Sequence, residues 1–200
     1  MAKLSSSALS EIQSKLDELT SSKSKSGIPG CVFNAIDKDG NYLAQKCSGT
    51  HALSGSDAEK EMSLDSVFYI ASCTKMITGL ACMQLAEKGE MKLDDHEWLY
   101  SVCPELKDKK VLNEKGDGLV ERKGEFTLRM LLSHTAGFGY TFFNERLLNW
   151  SRPTGFDEFG LDREDYTEMP LVNQPGSRWE YGVCDKSSSR RATYMLTMSL

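Results

Sequence analysis

Histidine is scarce in this chain: there are three in 200 residues, His51, His96 and His134, and no two stand at the H-x-x-x-H spacing that puts two ligands on one helix face. The six cysteines, Cys31, Cys47, Cys73, Cys82, Cys103 and Cys184, form no C-x-x-C pair. A metal site is therefore not expected. No G-x-S-x-G occurs, which removes the nucleophile elbow of an α/β-hydrolase, and no pair of carboxylates stands out among the 29 acids for glycosidase chemistry. Long apolar runs are missing too. No window nears the ~18 residues of a membrane span, and the opening "MAKLSSSALSEIQSKLDEL" lacks the apolar stretch of a signal peptide. The expectation is a soluble cytoplasmic protein, without a membrane partner, whose cysteines stay thiols. Positive charge is not in excess either. With 24 basic against 29 acidic residues the net charge is −5, and the densest basic run, "KDKKVLNEK", is interrupted by acids. A nucleic-acid partner is not expected.

What is present reads as an ordinary globular protein, 40% hydrophobic and 26% charged, long enough for one domain or two small lobes. Leu9, Ile12, Leu16 and Leu19 recur at helical spacing, so residues 8–20 read as an amphipathic helix ended by the loop "SSKSKSG". From Gly30 two strand-like runs flank Asp39-Gly40, a dipeptide that favours a tight hairpin. Residues 51–66 read as polar loop. A helix follows from Ser72 to Lys88, stopped by Gly89. Met76, Ile77, Leu80, Ala81, Cys82, Met83, Leu85 and Ala86 cover more than half its circumference, so it should be buried nearly all round. Residues 90–126 read as polar and turn-rich, "FTLRMLLSHTAGF" as a helix running into a glycine turn, and "NQPGSRWEYG" as a turn leading to a fixed tyrosine. No internal repeat is present.

The helix from Ser72 carries chemistry in its first turn. A serine hydroxyl is a poor nucleophile until a base removes its proton, and residues i and i+3 share a helix face, so Lys75 can reach Ser72. Burial on an apolar helix and the positive end of the helix dipole both disfavour the charged ammonium, which frees the amine to act as a base. Terminal N–H groups would also favour an oxyanion beside Ser72. On its own S-x-x-K is weak: an N-cap hydroxyl followed by a surface lysine explains it equally well, and a second copy, Ser22 and Lys25, lies in a polar loop that desolvates nothing.

The surrounding segments separate the two copies. "DSVFYIASCTKMITGL" resembles the nucleophile helix of the serine beta-lactamase-like superfamily, which includes class C beta-lactamases, related esterases and fungal transesterases. "IPGCVFNAIDKDGNYLAQKCSG", "TLRMLLSHTAGF" and "PLVNQPGSRWEYG" resemble, in order, that family's first hairpin, its helix with glycine turn, and the approach to its second catalytic box. The resemblance runs from about residue 28 to 183. It implies an α+β, beta-lactamase/transpeptidase-like fold: an N-terminal helix and antiparallel hairpin plus a helical lobe. It implies Ser72 as nucleophile, Lys75 as base and Tyr181 as the proton-relaying tyrosine of Y-x-N. A phenol of ordinary pKa about 10 needs a neighbouring ammonium for that role. The implied substrate is a small-molecule ester, thioester or lactam, with no cofactor. His134 is implied to be a structural turn residue.

The sequence departs from the family at two places. Val183 stands where Y-x-N has asparagine, which favours ester or thioester over penicillin-type substrates. After it the family continues into further central strands, a K-T-G-like box and a C-terminal helix, whereas residues 184–200 are serine-rich and unlike them; "KSG" at 25–27 precedes the nucleophile and is no substitute. The expectation is a partial domain over 1–183 with a divergent, disordered tail over 184–200, and reduced activity for want of a second oxyanion donor. A non-catalytic relative that binds a ligand or partner is the competing expectation. Oligomeric state is not legible.

Overall fold

The computed structural model describes residues 4–21, 27–153, 155 and 169–182. Val183, the tail over 184–200 and the Ser22/Lys25 pair fall outside them. The chain packs as two compact units, Met1–Tyr69 and Ile70–Leu200.

In the first unit, helix α1 (Ser6–Thr20) starts three residues before its apolar stripe because the Ser5 hydroxyl caps it, accepting from the Ala8 N–H at 3.2 Å. Leu9, Ile12, Leu16 and Leu19 form its half-buried face. Strands β1 (Gly30–Ile36) and β2 (Tyr42–Gly49) pair antiparallel, with a register shift at Ala35/Ile36. Their turn is the expected one. One Asp37 carboxylate oxygen accepts from the Asp39 and Asn41 amides at 2.9 Å each, and Gly40 takes the left-handed φ of 82° that a side chain would resist. Helix α1 is tied to β2 by Gln13 Nε2 donating to the Cys47 carbonyl at 3.1 Å and by the Thr20 and Ser48 hydroxyls at 2.8 Å.

The second unit opens on a 3-10 turn, Ala71–Cys73, continued by helix α2 (Thr74–Glu87). Gly89 ends α2 at φ 76°, as its position suggests. The expected all-round burial of α2 is wrong. Only Cys82 and Leu85 are buried, packed with Met91 against Trp98, Leu128 and Leu132, whereas Met76 is 79% and Leu80 62% exposed. An apolar circumference states what a helix can bury; packing decides which side finds neighbours, and here it is one side.

The stretch from 90 to 126, expected as polar and turn-rich, supplies much of the main core. It holds α3 (His96–Val102), capped by the Asp95 carboxylate on the Trp98 N–H at 2.9 Å, and the short pair β3 (Val111–Leu112) and β4 (Leu119–Val120). Its apolar residues fall in elements too short to show a period, or between them. Leu99, Tyr100, Cys103, Leu106, Val111 and Phe126 close around Leu131, Ala136, Phe138 and Leu171. Phe126, with no exposed surface, lies edge-on to Tyr100 and under the Arg122 guanidinium, 4.4 Å from its ring centre. Helices α4 (Leu128–Leu132) and α5 (Glu145–Ser151), the latter unmarked in the sequence, are capped by Thr127 and Asn144. Cys31, Cys47, Cys73, Cys82 and Cys103 are free thiols.

Candidate active site

Ser72 is the middle residue of the 3-10 turn that leads into α2, and Lys75 stands one residue inside the helix. Residues three apart across such a helix start share a face, which puts Ser72 and Lys75 on one side of the element. The preceding Ala71 has φ 44°, a left-handed conformation that costs a residue with a Cβ and is found where a site requires it. Ser72 is exposed and Lys75 half-buried. The 3-10 geometry also uses terminal donors: the Cys73 N–H bonds to the Ile70 carbonyl at 3.0 Å and the Thr74 N–H to that of Ala71. Those two amides are therefore less free to face an oxyanion than an uncapped helix start suggests.

Tyr181 reaches the same lysine from 106 residues further along the chain. The Lys75 Nζ sits over the Tyr181 ring, 5.3 Å from its centre, within the range at which an ammonium is attracted to an aromatic face. The segment carrying Tyr181 is held on both sides. The Glu180 carboxylate accepts from Asn144 Nδ2 at 2.7 Å and from Asn173 Nδ2 at 2.6 Å, and the Glu180 N–H donates to the His134 carbonyl at 2.9 Å. Gly182 lies so close to the backbone of the 133–139 turn that a Cβ there would be 2.5 Å from the Phe138 carbonyl carbon and oxygen. The turn Gln174–Ser177 sets the approach, with Gly176 at φ 75° donating to the Thr135 carbonyl at 2.8 Å.

Aromatic rings surround the phenol. Tyr140, Phe143 and Trp179 stand 5.3, 6.4 and 6.4 Å from Tyr181, and His134 stands at 4.7 Å, nearer than any of them. The sequence marks His134 only as a turn residue; the "SHTAG" spacing holds no hint that its ring meets Tyr181. Tyr140, Phe142 and Phe143 are likewise unmarked in the sequence. Two perturbed ionisable groups outside the site form a core clasp: burial pushes the Tyr100 phenol up, and its hydrogen bond to Glu125, aided by Arg122, holds that carboxyl below its usual range. Among the described residues no cluster of three His, Cys, Asp or Glu could hold a metal, and no helix is long and apolar enough to cross a membrane.

A hairpin and α-helical lobe in which an apolar helix opens on S-x-x-K, with a distant tyrosine drawn to its lysine, is the frame of a beta-lactamase-like protein. The Beta-lactamase family model matches residues 15–184, and the chain belongs to that family. It is 33% identical over 165 residues to the lovastatin esterase of Penicillium rubens, a match covering 78% of this chain and 40% of that protein. Against the monacolin J acid methylbutanoyltransferase of Aspergillus terreus it is 32% identical, covering 78% and 39%. Among solved structures, unliganded simvastatin synthase from Aspergillus terreus superposes with a TM-score of 0.77 at 28% identity, over 95% of this chain and 50% of that one. The chain thus spans about 40% of the length of these curated relatives.

Proposed function

We propose that this chain carries the nucleophile-bearing part of a serine-dependent acyltransferase or esterase acting in the cytoplasm on a small-molecule ester or thioester. Ser72 Oγ attacks the carbonyl carbon while its proton passes to the Lys75 amine, and the Tyr181 phenol, held beside that amine, relays it to the departing alcohol or thiol. The product of this half-reaction is an acyl-enzyme on Ser72. Water or an acceptor alcohol then surrenders a proton to the same pair and takes the acyl group. The observation that carries the reading is the placement of the Lys75 Nζ over the Tyr181 ring, on the helix into which the 3-10 turn of Ser72 leads. The names of the relatives, an esterase and a methylbutanoyltransferase, support an apolar acyl group over a lactam. Val183 in the asparagine position of Y-x-N points the same way.

The test is acylation by p-nitrophenyl butyrate. The expected result is a burst of p-nitrophenolate and a butyryl mass increment mapped to the peptide containing Ser72, both lost in Ser72→Ala. A butyryl group on a different serine, or an undiminished burst in Ser72→Ala, refutes it. No burst from the wild-type chain favours the competing reading of a non-catalytic relative.

A further inference from the structure

His134 makes three separate connections to the segment that carries Tyr181. Its carbonyl accepts from the Glu180 N–H at 2.9 Å, its Nδ1 accepts from the Gly182 N–H at 3.4 Å, and its ring lies 4.7 Å from the Tyr181 ring at an angle of 54°. The residues on both sides of the tyrosine are thus bonded to one histidine, whose imidazole also packs on the ring between them. The backbone is bent to allow it: His134 has φ 57°, one of two left-handed non-glycine residues among those described, and the other is Ala71, next to Ser72. Histidine is among the residues that tolerate this region, and such conformations persist where the surroundings demand them. An Nδ1 that accepts carries its proton on Nε2, so the imidazole meets Tyr181 as a neutral ring. The Nζ of Lys75 lies over that same ring.

We infer that His134 is a positioning residue for the Tyr181 phenol: through Nδ1 and its ring face it holds the tyrosine at the distance from Lys75 that proton relay requires. This rests on the proposed function for its catalytic meaning, but not for its geometry. A turn residue needed only for its φ could be glycine without consequence. A positioning residue could not, because both the acceptor and the ring would be missed.

The test uses the whole chain with ring-13C tyrosine, Tyr181 being assigned by the signals lost in Tyr181→Phe. His134→Gly adopts the left-handed backbone freely but has neither acceptor nor ring. His134→Asn also tolerates φ > 0 and places Oδ1 where Nδ1 stood. In His134→Gly the Tyr181 ring signals should move towards free tyrosine, and fluorophosphonate labelling of Ser72 should slow by about tenfold or more, since displacement near 1 Å costs up to ~10²-fold. In His134→Asn the labelling should return to within about threefold of wild type. In the wild-type chain a nuclear Overhauser contact between the His134 and Tyr181 rings is required, and its absence overturns the inference without any variant. So does a His134→Gly chain that melts lower yet keeps the wild-type Tyr181 signals and labelling rate per folded molecule. If wild-type Ser72 takes no label while the Tyr181 signals respond as described, the proposed function fails and the positioning role stands.

Discussion

Replacing Gly182 with alanine adds one methyl group to the residue after Tyr181, and the structure sets its cost. The new Cβ would be 2.5 Å from the carbonyl carbon and oxygen of Phe138 and 2.7 Å from the Gly139 nitrogen. Ordinary contact between such atoms is about 3.5–4.0 Å, so one backbone segment must retreat by roughly 1 Å. Neither can do so alone: Gly139 faces the Val172 side chain, and the Glu180 carboxylate is pinned by Asn144 and Asn173. Overpacking of this kind costs about 1–3 kcal/mol, a fall in melting temperature of roughly 2–12 °C for a chain of this size. The same displacement moves the phenol against Lys75 and should slow acylation of Ser72 by up to ~10²-fold. Circular dichroism melts paired with labelling kinetics measure both. Gly79→Ala is the control, since its Cβ meets nothing within 4 Å in the middle of α2, and should stabilise by about 0.5–1 kcal/mol. If Gly182→Ala melts and labels like wild type, the close approach of the two segments is not what fixes Tyr181.

Lys75→Ala should abolish labelling of Ser72 while shifting the melting temperature little, because the proposed function gives the half-buried side chain the proton transfer and it is not part of the described core; this is read by mass spectrometry and a melt. Phe126→Ala, which empties a fully buried ring site between Tyr100, Phe138 and Arg122, should cost about 3–5 kcal/mol in denaturant unfolding. The Glu125 carboxyl, held below its ordinary value of 4.5 chiefly by the Tyr100 hydroxyl, contributes stability that is present above 4.5 and lost as pH falls through its lower folded value. Glu125→Gln should accordingly melt below wild type at neutral pH and respond less to acid across that window. Leu80→Glu, on the exposed face of α2, should stay within about 0.5 kcal/mol of wild type and bind less of a hydrophobic dye.

The parts of the fold that the sequence discloses are those governed by local rules. The Asp39-Gly40 hairpin, the stripe of α1 and the Gly89 stop each follow from a few adjacent residues, and each stands where expected. Burial is a different matter. The side of α2 that finds a partner depends on Met91, Trp98 and Leu128, which no periodicity within the helix encodes, and the core residues from Leu99 to Phe126 lie in elements of two to seven residues or between them. In the candidate site, Ser72, Lys75 and Tyr181 are legible because S-x-x-K and the "WEYG" approach resemble a known pattern. That His134 and Glu180 brace Tyr181 is not legible, since the bonds join residues up to 48 positions apart and depend on the left-handed bend at His134.

Fluorophosphonate labelling of the wild-type chain beside Lys75→Ala, with the modified residue mapped by mass spectrometry, addresses the nucleophile and its base in one measurement. Label confined to Ser72 in the wild type and absent from Lys75→Ala is the predicted result; label at another serine, or undiminished label at Ser72 without the lysine, contradicts it.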